Sequence, residues 1–491
     1  MLWLALYLPE WPLQLVERAG SDACACVVAD GPVTRPVVRC ANAAARAHGV
    51  IPDMPVAAAR ALVGAPADGF VVLQRSATAE TQALHNLACW AYQFTPVVVP
   101  LPAEGLILDI GASLRLYGGL RRLVARIRWG LAELGYRAEP GVAPTPLAAC
   151  VLARARHAGL TVRACTDLAA LPEHIARLPL SLLGWPDEVT RPLQALGVRR
   201  IGQCLALPRD GFIRRFGVER RRDLDRMIEL VPDPQPAFVP PDTFASRTEF
   251  GFEVAHAPAL LFPLKRLLQE LEGFLRGRGA GVQHWHLLLE HVGQSRTRLT
   301  MGLVAPERSA ERLLALAHER LVRTALAAPV LALGVAAERL LPFEERNHSF
   351  LPDAGRHAIG WEHLVDKLVA RLGSDKVYRV QRLDAHRPEY GWRRVGAATS
   401  EPRPPAPSSS CKPRPLWLLR APRALLVEHG QPLCQGRLSF LAGPERIESG
   451  WWDGQPARRD YYVARNPRGE TFWIYHEYRR GPAWYLHGVF A

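Results

Sequence analysis

Ala103-Glu104-Gly105-Leu106-Ile107-Leu108-Asp109-Ile110-Gly111 and Ala41-Asn42-Ala43-Ala44-Ala45-Arg46-Ala47-His48-Gly49-Val50 are the two stretches on which the fold of this 491-residue chain turns. The first reads as a strand over Gly105–Ile110 closed by Gly111, the second as an Ala-rich helix ended by Gly49. Around them, Leu4–Leu8 predicts a buried strand halted by Pro9, and Trp11–Arg18 a short helix. Ala25–Ala29 and Val37–Cys40 predict a hairpin around Asp30-Gly31-Pro32, and Pro55–Leu62 and Thr78–Ala91 predict helices. Tyr117-Gly118-Gly119 leads into a basic amphipathic helix, Leu120–Leu134, carrying Arg121, Arg122, Arg126 and Arg128. Strands alternating with helices argue for a layered α/β or α+β structure.

Outward from this first region, 1–165, a helical, short-looped region spans 166–232 and ends in Val231-Pro232-Asp233-Pro234-Gln235-Pro236, a semi-rigid linker. Residues 242–342 mix helices (Leu260–Leu275, Ser309–Leu326) with alternating strands (Gln283–Glu290, Arg296–Leu303), an α/β pattern. Residues 343–396 hold an amphipathic helix, Trp361–Leu372. The run 397–415 is dense in Pro and Ser and predicts a tether. The tail, 416–491, predicts a small β-rich module with Trp451, Trp452, Tyr461 and Tyr462 in its core. No repeat of 20–50 residues is present. The expected class is therefore α+β and multidomain.

Composition narrows the function. Lys plus Arg exceed Asp plus Glu by 61 to 47, a net charge of +14, which favours a polyanionic partner, nucleic acid before membrane. The alternative is surface arginine used for solubility. Nine cysteines without a C-x-x-C suit a reduced compartment. The apolar start, Met1–Pro9, is too short to span a membrane and lacks a basic lead, so a cytoplasmic, nucleoid-associated protein is expected.

In order and spacing, residues 1 to about 235 resemble the palm, fingers (about 26–70) and thumb of the Y-family lesion-bypass DNA polymerases, with 242–342 in the place of the little finger. Ala41–Val50, followed by Met54-Pro55, resembles the fingers motif A-N-Y-E-A-R-x-x-G-V…M. Its triphosphate-contacting Arg falls on Arg46, a nucleotide-binding remnant, and its Tyr on Ala43. Gly141-Val142-Ala143-Pro144-Thr145-Pro146-Leu147-Ala148-Ala149 resembles G-I-A-x-N-K-x-L-A, with the phosphate-binding Lys replaced by Pro146. Ala103–Asp109 resembles S-I-D-E-A-x-L-D. If Asp109 is the second strand acid, the catalytic Asp becomes Glu104 and the catalytic Glu becomes Gly105. The first metal ligand falls on Tyr7 or Leu8, depending on one gap. Two-metal phosphoryl transfer needs several carboxylates converging on sites roughly 3.5–4 Å apart. The resemblance therefore implies a member with degenerate catalytic positions and neither metal nor cofactor. Glu104 and Asp109 point to opposite strand faces and would not share a cation, which leaves Asp109 as a structural acceptor. His284 and His286 share a face but lack further ligands at zinc spacing.

The tail, Gly443-Pro444-Glu445-Arg446-Ile447-Glu448-Ser449-Gly450-Trp451-Trp452-Asp453-Gly454 with Arg459-Asp460-Tyr461-Tyr462 and Trp484-Tyr485-Leu486-His487-Gly488-Val489-Phe490, resembles a signature of the polymerase-like branch that serves bacterial DNA-damage mutasomes. That branch implies an adaptor in translesion synthesis and SOS mutagenesis, binding DNA and joining the sliding clamp, a RecA-like partner and an error-prone C-family DNA polymerase. The alternatives are an active Y-family lesion-bypass polymerase with atypical metal ligands, and a generic basic DNA-binding protein. Expected DNA contacts are the helix-hairpin-helix turns at Gly184 and Gly197, which would present backbone N–H groups to phosphate, with Arg199, Arg200, Arg214 and Arg215. In the third region they are Lys265, Arg266, Arg276 and Arg278, together with Arg296 and Arg298. The clamp-binding peptide is expected at Asn347-His348-Ser349-Phe350-Leu351-Pro352, through Asn347, Ser349, Phe350 and Leu351. Gln435-Gly436-Arg437-Leu438-Ser439-Phe440 is its rival, placed inside an expected strand.

Overall fold

The computed structural model describes all residues except 19–23, 33, 65–69, 344–353, 384, 398–413, 479–482 and 491, and describes 354–360 by backbone alone. The chain falls into two compact units, Met1–Arg371 and Leu372–Ala491.

In chain order the first unit begins β1 (Trp3–Tyr7), α1 (Trp11–Glu17), β2 (Ala25–Asp30), β3 (Val37–Ala41), α2 (Ala43–Ala47), α3 (Val56–Val63), β4 (Phe70–Gln74) and α4 (Ala77–Ala91). It continues β5 (Val98–Leu101), β6 (Gly105–Asp109), α5 (Leu120–Glu133), β7 (Glu139–Ala143) and α6 (Pro146–His157). Four of these strands form an antiparallel sheet in the order β5-β6-β1-β7. Alternation sends β1 side chains to opposite faces. Leu4 and Leu6, with Leu106 and Leu108, pack under Leu123, Ile127 and Leu131 of α5. Trp3 and Ala5, with Ile107, pack under the alanines of α6. The strands read as continuous apolar runs because both faces are covered. The fingers segment is a separate sheet, β3-β2-β4, with β2 and β3 antiparallel and β2 and β4 parallel.

The thumb follows as α7 (Leu171–Ala176), α8 (Asp187–Ala195), α9 (Ile201–Leu205), α10 (Arg209–Phe216) and α11 (Val218–Met227). The linker after it runs along the edge of the palm-like sheet, with Phe238 N–H donating to Val98 O at 2.9 Å.

The third region comprises β8 (Phe244–Val254), α12 (Leu261–Gly277), β9 (Ala280–His291), β10 (Thr297–Glu307), α13 (Ala310–Leu321), β11 (Val330–Ala337), β12 (Leu340–Pro342) and α14 (Ala354–Leu372). Its sheet runs β10-β9-β11-β8, with β12 added to β9. One face packs on α12 and α13. The helix expected over Ser309–Leu326 ends at Leu321, and the one expected from Trp361 starts at Ala354.

Helix α12 docks back onto α4. The Trp90 indole of α4 lies against Gly130 of α5 and Gly273 of α12, where an added Cβ would stand 2.6 and 2.2 Å from it. A buried network seals the same junction. Arg18 donates to Glu270 Oε1 at 2.6 Å and to the Tyr136 hydroxyl, and the Ser246 hydroxyl donates to Glu270 Oε2 at 2.5 Å.

The second unit holds a hairpin, Tyr378–Arg382 with Trp392–Gly396, and a five-stranded antiparallel sheet drawn from Trp417–Val489. The hairpin belongs with the tail: Arg387 pairs with Asp453, Arg459 with Glu389 at 2.9 Å, and the Tyr390 hydroxyl donates to Gln455 at 2.6 Å. Tyr461 is buried in this unit, but Trp451 and Trp452 are 80% and 62% exposed. The core placement expected for that pair is thereby corrected. Both sit on the turn after Ser439–Ser449, beyond the last inward-facing strand position.

Candidate functional site

The sheet brings Tyr7, Leu8, Glu104 and Gly105 together. Tyr7 lies opposite Gly105 on one side and Glu139 on the other, and Leu8 N–H donates to Glu104 O at 2.8 Å. What these positions offer is set by their neighbours. Leu8 is buried in the layer of α4 and α5. At Gly105, φ is +139° and an added Cβ would stand 1.9 Å from Leu6 O. The backbone of β1 thus occupies the space any side chain would need there.

Glu104 keeps its carboxylate, and a guanidinium from α6 meets it. Arg154 Nη2 donates to Glu104 Oε2 at 2.5 Å, and its Nη1 donates to Leu182 O at 2.9 Å. Cys150, Arg154 and His157 share one stripe of α6 by their i, i+4, i+7 spacing. The His157 ring lies 5.2 Å from that of Tyr7. Burial raises the Tyr7 phenol above its ordinary value; the Arg154 charge opposes this and the Glu104 charge adds to it. A cleft of about 280 Å³ opens beside the pair, lined by Leu101, Pro146, Cys150, Arg154, Asp233 and Gln235. Burial pushes the Cys150 thiol up to about 12, so it stays neutral. Pro146 opens α6 and donates nothing, while Thr145 before it ties to Met227 O at 2.8 Å. The residues present do not fit a pair of divalent cations: the cleft offers two carboxylates, Glu104 paired with Arg154 and Asp233 lying 3.8 Å from Arg226, where several free ones are needed. Among the described residues no three His, Cys, Asp or Glu side chains gather as a metal site.

Asp109 stands at the far end of β6, opposite Trp3 on the face that α6 covers, so the opposite faces expected for it and Glu104 are corrected: the length of the strand separates them. The Asp109 carboxylate accepts from Gly111 N–H at 3.0 Å and closes the turn after β6. In the fingers segment, Asn42 caps α2, its Oδ1 accepting from Ala45 N–H at 2.9 Å and Cys26 N–H at 3.0 Å. Arg46 on α2 pairs with Glu10 at 2.6 Å. Neither Glu10 nor Arg154 was singled out from the sequence. The i+4 spacing of Cys150 and Arg154 after the palm motif was the available signal for the second.

The thumb glycines sit where turns require them, Gly184 at φ +71° and Gly197 at φ +84°. The amides that follow Gly197 are not free, however. Arg199 N–H and Arg200 N–H donate to Gln203 Oε1 at 2.9 and 3.0 Å, and Val198 N–H donates to Leu193 O at 3.0 Å. The expected row of amides for phosphate is thus consumed internally at this turn, and side chains remain. Arg199, Arg200, Arg214 and Arg215 are exposed. None is paired with a carboxylate among the described residues, whereas Arg191, Arg209, Arg221 and Arg222 of the same region are.

In the third region the expected free cations are engaged. Lys265 lies 3.6 Å from Glu133 of α5, and Arg266 donates to Arg18 O. Arg276 and Arg278 pair with Glu272 and Asp242 at 2.5 and 2.8 Å. Arg296, just before β10, pairs with Glu290 at 2.9 Å, and Arg298 with Glu338 at 2.8 Å. Packing engages Lys265 and Arg266, because α12 faces the palm-like helices; Arg276 pairs at i, i+4 within its own helix, and Glu290 of β9 and Glu338, just after β11, stand beside Arg296 and Arg298. His286 meets the Thr300 hydroxyl at 3.1 Å. The clamp-peptide residues Asn347, Ser349, Phe350 and Leu351 lie outside the described residues. Its rival is only partly within a strand: Gln435 and Gly436 form a turn at φ +54° and +117°, while Ser439 and Phe440 open the strand Ser439–Ser449.

A family model described as the impB/mucB/samB family matches residues 20–154. Protein ImuB of Caulobacter vibrioides is 29% identical over 473 residues, which cover 90% of this chain and 100% of that protein. DNA polymerase IV of Desulfatibacillum aliphaticivorans is 30% identical over 195 residues, 39% of this chain and 48% of that enzyme. Among solved structures, a Y-family DNA polymerase chimera of Dbh and Dpo4 aligns with 70% of this chain and 99% of its own, at 15% identity and a TM-score of 0.40.

Proposed function

We propose that this chain, a Y-family polymerase-like protein similar to ImuB along most of its length, is a non-catalytic adaptor in DNA-damage-induced translesion synthesis and mutagenesis. In this reading it grips DNA with the thumb arginines. It recruits the sliding clamp, an ImuA-type RecA-like protein and an error-prone C-family polymerase, working in the cytoplasm at the nucleoid. The observation that carries the reading is the palm floor. Arg154 neutralises Glu104, and Gly105 has the β1 backbone where a second carboxylate would have to stand. A net charge of +14 and unpaired arginines on the thumb support the nucleic-acid part. Among the described residues no helix is long and apolar enough to cross a membrane.

Primer extension by the purified chain tests it. No nucleotide should be added with Mg²⁺ or Mn²⁺, while binding to primer–template weakens steeply with salt. Extension that is lost on Glu104→Gln or Asp109→Asn would establish an active polymerase with atypical ligands instead. Removing residues after 415 should reduce capture of the partner polymerase or of the RecA-like protein. Unchanged capture of both would count against a recruiting role for the tail.

A further inference from the structure

Helix α5 buries Leu123, Ile127 and Leu131 against the palm-like sheet. It turns Arg121, Arg122, Ala125, Arg126, Arg128, Trp129 and Ala132 to solvent. Arg115 and Leu116, just before it, are exposed as well, Leu116 at 80% and Trp129 at 68%. Among the described residues none of the five arginines is paired with a carboxylate. Arg126 instead lies over the Tyr117 ring at 5.6 Å. The helix carries a single acid, Glu133 at its last turn, which is engaged by Lys265 and Gln269 of α12. Seven residues separate Arg121 from Arg128, about 10 Å of helix, so the guanidiniums form a short track with a proud indole beside its C-terminal end.

Since α5 and α6 cover opposite faces of the same sheet, this track lies on the far side of the palm from Arg154 and Glu104. We propose that it is a second nucleic-acid site, taking single-stranded DNA, with phosphates on Arg121, Arg122, Arg126 and Arg128 and a base stacked on Trp129. The inference rests on the nucleic-acid role proposed above. Charge complementarity selects a polyanion. The indole selects a flexible strand over a duplex, because only unpaired bases can leave their stack to cover it. An acidic polypeptide would answer the charge but leave the indole without a stacking partner.

The test uses the full chain, fluorescence anisotropy and labelled oligo(dT), with an abasic strand of the same length and a duplex as further probes. With Arg121, Arg122, Arg126 and Arg128 all changed to Gln, the slope of log affinity against log salt for oligo(dT) should fall by about 3. Trp129→Ala should weaken oligo(dT) binding roughly 5- to 100-fold and leave the abasic strand unaffected. Both variants should keep their duplex binding, and their thermal melts should match the parent. Two results overturn the site while leaving the adaptor reading intact. One is unchanged oligo(dT) binding in both variants when an Arg199→Gln, Arg200→Gln variant loses it. The other is displacement of oligo(dT) by polyglutamate with no difference between abasic and normal strands. Failure of the parent chain to bind any of the three probes would overturn both.

Discussion

Gly105→Ala should destabilise the first unit although it adds one methyl group. The new Cβ would stand 1.9 Å from Leu6 O and 3.3 Å from Leu8 N, both backbone atoms of the neighbouring strand. Neither can turn away as a side chain could. A non-glycine residue held at φ +139° costs on the order of 1–3 kcal/mol. Forcing β1 and β6 apart costs roughly another 1–3 kcal/mol as overpacking. At about 2–4 °C per kcal/mol for a large domain, the melting midpoint should fall by roughly 4–24 °C. Far-UV circular dichroism of the purified chain reads this directly. Gly105→Glu, which supplies the carboxylate of the family motif, should melt at least as early and gain no Mn²⁺ affinity. A Gly105→Ala chain melting with the parent, or a Gly105→Glu chain that folds normally and binds Mn²⁺, would show that the floor has room and that the steric argument is wrong.

The buried pair at the α12 junction gives a second expectation: Arg18→Met or Glu270→Gln alone should cost about 3–5 kcal/mol, with the double variant losing much less than the sum. Additive losses in urea denaturation would deny the coupling. Asp366 on α14 is held by Val304 N–H at 2.8 Å, yet burial pushes its carboxyl up from 3.8 to about 6. Because the folded value lies above the unfolded one, the protonated form favours folding. That contribution is complete below about pH 4 and is lost as pH rises through about 6. Asp366→Asn should flatten this segment of a stability–pH curve, and an unaltered curve would exclude the residue as its source. Changing Phe350 and Leu351 to Ala should abolish sliding-clamp capture and spare DNA binding; clamp retention would move the binding peptide elsewhere.

Much of the architecture was legible because it rests on local pattern. Apolar runs ended by Pro9 and Gly111 marked the palm-like strands, and Asp30-Gly31 marked the hairpin that β2 and β3 form. The degenerate positions at Tyr7, Leu8, Glu104 and Gly105 were also found from order and spacing, and the sheet makes them neighbours. What escaped was every property decided across the fold. Arg154 reaches Glu104 from a helix fifty positions later. Arg298 looked free on its own strand but faces Glu338, forty positions on. On helix α12, Lys265 looked free because nothing local records that Glu133 of α5 lies beside it. Trp451 and Trp452 looked like core because aromatic residues usually are, while a turn can lift them out.

The indole of Trp90, seated between two glycines on separate helices, works as a key in a lock cut from both sides. Any sliding of α12 across α4 would drive a backbone into the ring, so the third region and the palm must travel as one piece. A spin-label pair spanning α4 and α12 should accordingly keep one narrow distance whether or not DNA is added.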